Sequence, residues 1–166
     1  MISTLTGSSS STIKSRWSNT APYVTGYDIV SNVAYSVAYG KVVYIGQEPD
    51  GTFTVNIKNN DDEVLRYGNL TSLLVRSSGE VKAGTKLGNV AKYVHFEYAT
   101  RWQGNSRLPI RVNQYLYFKQ DPTDIIEGKY LPGQQPALEY APTRNISIVE
   151  YDSDEQEYEF KGKINV

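Results

Sequence analysis

The sequence contains no cysteine and only one histidine, His95, among its 166 residues. Without cysteine there is no disulfide framework, no thiolate metal site and no thiol nucleophile. A catalytic zinc site usually takes three protein ligands, and histidine most often supplies these ligands and the proton-transfer groups beside them. One histidine cannot fill all of these positions, so a histidine-rich metal centre is excluded.

The sequence also lacks a long apolar run and an excess of either charge. No segment approaches the roughly 20 apolar residues that cross a bilayer, so we expect no membrane insertion. With 17 basic and 18 acidic residues the net charge is -1, which gives no overall attraction for nucleic acid. The first 11 residues have neither the charged start nor the apolar middle of a secretory signal, so we expect none.

The hydrophobic pattern has the period of strands. Residues 52–58 alternate apolar Phe53, Val55 and Ile57 with polar side chains, which predicts a half-buried strand. Glycines such as Gly84 and Gly88 punctuate the segments that follow, as at the bends of a sheet. No stretch predicts an amphipathic helix of 12 or more residues, although 110–116 or 123–126 could form a short one. We therefore predict an all-β fold.

Changes in composition suggest four segments. We predict a flexible N-terminal segment over 1–12 and a β domain over 13–127. Residues 128–145 carry three prolines and predict an extended arm or linker. Residues 146–166 predict a terminal β-hairpin, with the acidic run 152–155 as its turn. Because an isolated hairpin is marginally stable, it should pack on the main sheet or on another chain.

Five short segments occur in a fixed order along the chain. They are Gly26-Tyr27-Asp28-Ile29, Ala38-Tyr39-Gly40-Lys41-Val42-Val43, Tyr67-Gly68-Asn69-Leu70, Val81-Lys82-Ala83-Gly84-Thr85-Lys86-Leu87-Gly88 and His95-Phe96-Glu97. Together they resemble the lysostaphin or LytM-type zinc endopeptidases, which cut peptide cross-links in bacterial cell walls. The corresponding family motifs are His-x-Gly-x-Asp, a strand with Gly before paired valines, Tyr-x-His-Leu, Val-x-x-Gly-x-x-Ile-Gly and His-x-His-Phe-Glu. The resemblance covers about residues 13–126 and implies a LytM-like antiparallel β-sheet or sandwich with an open groove.

The departures from the family pattern fall on its chemistry. The resemblance places the three zinc-ligand positions at Val24, Asp28 and His95, and the two proton-handling positions at Asn69 and Tyr93. Valine has no donor atom, and neither asparagine nor tyrosine acts as a general base near neutral pH. We therefore predict no metal, no cofactor and no catalytic residue. Asp28 and His95 are expected to share a hydrogen bond between two strands.

The resemblance favours a pseudoenzyme that serves as a structural or binding component. It implies two settings, because degenerate members regulate other wall hydrolases and intact members occur at the tips of bacteriophage tails. We expect a phage tail or baseplate protein that assembles in the host cytoplasm and becomes part of the virion. Its partners would be other protein subunits or further copies of itself, with the proline-rich arm adding a strand to a neighbouring sheet.

Two alternatives remain open at this point. The first is a peptidoglycan-binding module whose groove presents Tyr27, Tyr67, Tyr93 and Trp102, although each of these aromatic residues could equally pack in the core. The second is an active cell-wall zinc endopeptidase with an atypical metal site, in which Thr25 or Tyr93 would supply an oxygen ligand.

Overall fold

The computed structural model describes residues 2–22, 24–99 and 120–133, together with the backbone of 151–155 and 158–159. The chain divides into two compact units, residues 1–135 and 136–166. The elements of the first unit are α1 (Ile2–Thr6), β1 (Ile13–Ser15), β2 (Tyr27–Val30), β3 (Val33–Tyr35), β4 (Gly40–Gln47), β5 (Phe53–Lys58), β6 (Val64–Leu70), β7 (Glu80–Val81), β8 (Lys86–Ala99) and α2 (Thr123–Ile126).

The first unit is built on one antiparallel sheet, which confirms the predicted all-β class. Its strand order is β1-β2-β8-β6-β5-β4-β7, and β3 pairs separately with the first part of β8. The 14-residue strand β8 organises the sheet, because it pairs with β2, β3 and β6 along its length. The short helix predicted at 123–126 is present as α2. None of the described helices is long and apolar enough to span a membrane.

The hydrophobic core lies on one face of this sheet. Tyr67 and Phe96 meet there edge to face, with ring centroids 5.4 Å apart. The predicted strand over 52–58 is present, but it is not half-buried, since Thr54 and Asn56 on its polar side are only 3% and 0% exposed. Polar side chains on the second face of the sheet are therefore also enclosed, and this face carries the candidate site.

The prediction of a flexible segment over 1–12 is wrong for its first half. Residues Ile2–Thr6 form α1, and Leu5 is fully buried in the core. The side chain of Thr6 donates to the carbonyl of Ile2 at 2.9 Å and accepts from Ser11 at 2.9 Å, so the turn after the helix is held in place. A single deeply buried leucine fixes a segment whose Ser- and Thr-rich composition indicated flexibility.

The predicted boundary at 127/128 is also wrong, because residues 128–133 continue to pack on the β domain. Ile125 and Ile126 lie in the core, and Pro132 is buried. The Tyr130 hydroxyl donates to the buried carboxylate of Glu63 at 2.5 Å, and the Tyr98 hydroxyl donates to the same oxygen at 2.7 Å. The remainder of the predicted arm and the candidate helix at 110–116 lie outside the described residues.

The second unit contains an antiparallel strand pair within the predicted hairpin region. Strand β9 (Tyr151–Glu155) pairs with β10 (Tyr158–Glu159). The acidic residues 152–155, predicted to form the turn, instead belong to β9. Asp and Glu are uncommon in β-strands, so the composition of this run indicated a turn. In the structure the run belongs to a strand of a two-stranded sheet.

Truncating Ile125 to alanine tests whether residues 120–133 belong to the folded domain. Because Ile125 is 1% exposed, Ile125→Ala should lower the free energy of unfolding by about 2–5 kcal/mol in urea denaturation. The matched control is Leu131→Ala, since Leu131 is 39% exposed and should change stability by no more than about 0.5 kcal/mol. Equal, negligible effects of both substitutions would show that this segment is a loose linker.

Candidate functional site

Polar side chains from four neighbouring strands share the sheet face opposite the core. Asp28 on β2 is directly opposite His95 on β8, and Glu97 on β8 is directly opposite Arg66 on β6. Arg66 in turn is opposite Asn56 on β5. Because alternate side chains of a strand point to the same face, these five groups form a continuous polar row.

The imidazole of His95 lies between two carboxylates. Its Nδ1 is 2.5 Å from Oδ1 of Asp28, and its Nε2 is 2.9 Å from Oε2 of Glu97. The hydrogen bond expected between Asp28 and His95 is therefore present. Since ionised carboxylates only accept hydrogen bonds, both ring nitrogens must donate, and the ring is an imidazolium.

The electrostatic surroundings of His95 support this protonation state. Burial by itself lowers the pKa of the imidazole, but the hydrogen bonds and negative charges of Asp28 and Glu97 outweigh it and raise the pKa from 6.5 to about 10. For Glu97, burial raises the pKa, but His95, Arg66 and Thr25 together hold the pKa of this carboxyl below its ordinary value. The ring nitrogens consequently have no free lone pair near neutral pH.

Arg66 and Glu97 form a buried ion pair next to His95. Nη1 of Arg66 is 3.2 Å from Oε1 of Glu97, and both side chains are 1% exposed. The guanidinium also donates through Nε to Oδ1 of Asn56 at 2.9 Å, and the Thr25 hydroxyl donates to Oε2 of Glu97 at 2.8 Å. Burial lowers the pKa of Arg66, and the neighbouring Glu97 charge opposes that shift. The positive charges of Arg66 and His95 thus balance the negative charges of Asp28 and Glu97.

Gly26 allows the segment before β2 to approach this network. Its φ is +70°, and a Cβ built on it would lie 2.3 Å from the backbone oxygen of Phe96. Any larger residue would therefore push the segment away from β8. The close approach brings the Thr25 hydroxyl to Glu97. Thr25 was considered from sequence as a possible oxygen ligand for zinc, but its hydroxyl is used as a donor to this carboxylate.

The other predicted site positions have structural roles. Val24 forms a backbone bridge with Ser18, with N···O distances of 3.0 and 3.2 Å. Asn69 has a left-handed backbone with φ +69°, and its Nδ2 donates to the carbonyls of Ala91 and Tyr93 at 2.9 Å each. The Asn69 amide therefore secures the irregular pairing of β6 with β8 and is not directed at a reacting water.

Two of the four candidate groove aromatics are core residues, so the groove role considered for them is wrong and the packing role left open beside it is correct. Tyr27 and Tyr67 are 3% and 0% exposed. The Tyr27 hydroxyl is hydrogen-bonded to the Thr123 hydroxyl at 2.7 Å, and the Tyr67 hydroxyl accepts from the Val37 N–H at 3.0 Å. Local partners for both hydroxyls make burial of the phenol rings acceptable.

Tyr93 is the one predicted groove aromatic that lies on the polar face, while Trp102 is outside the described residues. Tyr93 is half-buried, and Nζ of Lys14 lies over its ring, 4.8 Å from the centroid. Burial and the charges of Asp28 and Asp50 all raise the pKa of Tyr93. The phenol therefore stays protonated near neutral pH and is not available to accept a proton.

The residues present do not fit a catalytic zinc ion. Val24 offers only C–H groups, and both ring nitrogens of His95 are engaged by carboxylates. Within the described part of the chain, no group of three or more His, Cys, Asp or Glu side chains is arranged to hold a metal. Since a catalytic zinc usually needs three protein ligands, we derive no hydrolytic step through a metal here.

Sequence reasoning identified Asp28 and His95 but missed the other side chains of the hydrogen-bonded network. Glu97 was visible in the His-Phe-Glu motif, yet its role was not inferred. Arg66 and Asn56 belong to no recognisable motif, because each occupies an ordinary polar position in a strand whose apolar and polar side chains alternate. Only the register of β5, β6 and β8 brings these two side chains next to Glu97.

The pH dependence of stability should reflect the raised pKa of His95. A histidine whose folded pKa is about 10 contributes fully below its unfolded pKa near 6.5 and loses its contribution as the pH rises toward 10. The free energy of unfolding in urea should therefore fall between about pH 7 and about pH 9. His95→Gln should show a much flatter profile. A wild-type profile that is level or rises over this range would contradict the assignment.

Breaking the Arg66–Glu97 pair should be strongly destabilising. Arg66→Met leaves a buried carboxylate without its guanidinium, and we expect a loss of about 3–5 kcal/mol in urea denaturation. Lys58→Met is the matched control, because it removes an ion pair with Asp62 whose side chains are 29% and 57% exposed. That control should change stability by at most about 1 kcal/mol. If both substitutions have the same small effect, the buried pair does not hold the site together.

The chain matches a known family over more than half of its length. The model of Peptidase family M23 matches residues 23–112. The murein hydrolase activator NlpD of Escherichia coli K12 is 35% identical over 96 residues, which cover 52% of this chain and 25% of that protein. The lipoprotein NlpD of Yersinia enterocolitica is 37% identical over 84 residues, covering 46% of this chain and 84% of that protein. This chain thus spans about a quarter of the first relative.

Solved structures show the same fold. Lysostaphin from Staphylococcus simulans superposes with a TM-score of 0.57 at 18% identity, covering 79% of this chain and 52% of that chain. The catalytic domain of a variant of the prophage-encoded protein EnpA from Enterococcus faecalis gives a TM-score of 0.51 at 21% identity, covering 60% of this chain and 86% of that chain. At these identities the likeness is one of fold.

Proposed function

Because this chain belongs to peptidase family M23, yet holds its only histidine between two carboxylates, we propose that it is a non-hydrolytic member of the family. It acts as a structural or binding component. The observation that carries the proposal is the double engagement of the His95 ring nitrogens. A ring that donates from both nitrogens has no lone pair for a metal ion.

The remaining positions of the family's chemistry support the same proposal. Zinc hydrolysis needs a metal that acidifies water and a group that accepts the proton. Val24 supplies no ligand atom, and the Asn69 amide is engaged by two backbone carbonyls. Tyr93 has a raised pKa and is half-buried. None of these three positions is therefore suited to generate or deprotonate the attacking water.

The partners that we propose are other protein subunits. The name of the NlpD relatives, murein hydrolase activator, supports a role at the cell wall that is exerted through another hydrolase. For the setting we keep the proposal of a phage tail or baseplate part assembled in the host cytoplasm. Mass spectrometry of purified virions tests that setting, and stimulation of a purified murein hydrolase tests the regulatory one.

Metal content and murein cleavage together test the loss of catalysis. We expect the purified full chain, after equilibration with zinc and gel filtration, to retain well below one zinc ion per chain by elemental mass spectrometry. It should release no peptide fragments from purified murein, whereas lysostaphin on a staphylococcal wall serves as the positive control. Stoichiometric zinc with cleavage would establish an active peptidase. Co-sedimentation with murein in the absence of cleavage would instead support the peptidoglycan-binding alternative.

A further inference from the structure

An open groove of about 640 Å³ lies beside β7, the strand at one edge of the sheet. None of the residues of the His95 network lines this groove. Its lining comes from residues 73–76, from 79–81 and from Thr85. We infer that this groove is an interface between two copies of the chain, in which it receives the acidic C-terminal segment 146–160 of the second copy. The inference is independent of whether the M23 site is active.

The floor of the groove is apolar. Leu73 and Val75 pack against the core on their inner side, while Leu74 is 63% exposed, the highest value among the large hydrophobic residues described. The backbone N–H of Leu74 donates to the carbonyl of Leu87 at 2.8 Å, so Leu74 is held in place as part of an ordered segment. A fixed leucine exposed in a concave surface is typical of a protein contact.

The wall of the groove is an edge strand. Strand β7 is the last in the sheet order, and in the described part of the chain it pairs only with β4. The outer edge of such a strand offers backbone N–H and C=O groups to an incoming extended segment. The groove therefore combines an apolar floor with a sheet edge, the two features that strand addition uses.

The stretch of chain that forms the groove, residues 73–86, carries three basic residues and one acidic residue. Arg76 lines the groove, and the exposed Lys82 and Lys86 directly follow the lining residues Val81 and Thr85 in sequence. Glu80 is the only acidic residue of the lining. A segment with acidic and apolar side chains would complement this combination.

The chain itself contains a segment with that chemistry. Residues 146–160 include six acidic residues and no basic one. The apolar residues between them are Ile146, Ile148, Val149, Tyr151, Tyr158 and Phe160. Part of this segment is already extended, since β9 and β10 lie within it. A second copy therefore supplies both the strand geometry and the charge that the groove accommodates.

Reciprocal exchange would give a closed dimer. Each copy would donate one segment and receive one, so the same contact would form twice about a two-fold axis. Duplication of a small contact in this manner strengthens the assembly, because the second contact forms at high effective concentration once the first exists.

Association of the full chain tests this inference. Sedimentation equilibrium should show a dimer, and Leu74→Ser should raise the dimer dissociation constant by about tenfold or more. Higher salt should also weaken the dimer, because ion pairs at the rim are screened. A chain that is monomeric at all concentrations, or a dimer indifferent to Leu74→Ser, would overturn the inference.

Charge reversal on the two sides provides the sharper test. The groove variant Arg76→Glu/Lys82→Glu and the tail variant Asp152→Lys/Asp154→Lys should each fail to dimerise alone. Their equimolar mixture should recover the dimer, because each reversed surface then meets a complementary one. Circular dichroism of each variant must match the wild type, which separates a lost contact from a lost fold. Lys129→Glu, on an exposed lysine that does not line the groove, should leave the dissociation constant unchanged. Failure of the mixture to associate would contradict the proposed pairing.

Discussion

The polar face of this domain depends on the requirement that the buried carboxylate of Glu97 be neutralised. Glu97 is 1% exposed, and an unpaired carboxylate at that depth would be prohibitively unfavourable. Arg66, His95 and Thr25 satisfy it with one guanidinium, one imidazolium and one hydroxyl. Because these donors come from β6, from β8 and from the segment before β2, the same requirement also sets the positions of three parts of the chain.

This neutralisation links structure to function. A metal-binding site needs histidine nitrogens with free lone pairs, whereas the network needs a histidine that donates from both nitrogens. The two requirements are incompatible at His95. The chain keeps the sheet, the order of motifs and the Asp28–His95 pair that the resemblance to the M23 family implies. On our proposal, the charged side chains of the network hold the strands together and do not bind a metal. On the same proposal, binding surfaces elsewhere on the domain carry the function.

The sequence predicted the features that depend on local pattern and motif order. These were the all-β class, the short helix at 123–126 and the neighbouring placement of Asp28 and His95. It did not predict the role of Arg66 or Asn56, because cross-strand register alone determines their contacts. It left open whether Tyr27 and Tyr67 lie in the groove or in the core, since a sequence does not reveal whether a phenol finds a buried partner for its hydroxyl. The ends of the domain were misjudged because Leu5 enters the core from a short segment without periodicity, and because Tyr130 and Pro132 pack on the domain beyond the predicted boundary.

The most direct test of the central claim is nitrogen-15 NMR of the His95 ring at about pH 7.5 in the presence of excess zinc. As the only histidine, its two ring nitrogens give signals that need no assignment among competitors. The network predicts that both nitrogens remain protonated and that their shifts do not respond to zinc. A nitrogen that loses its proton and moves to the shift of a metal-bound imidazole would contradict it.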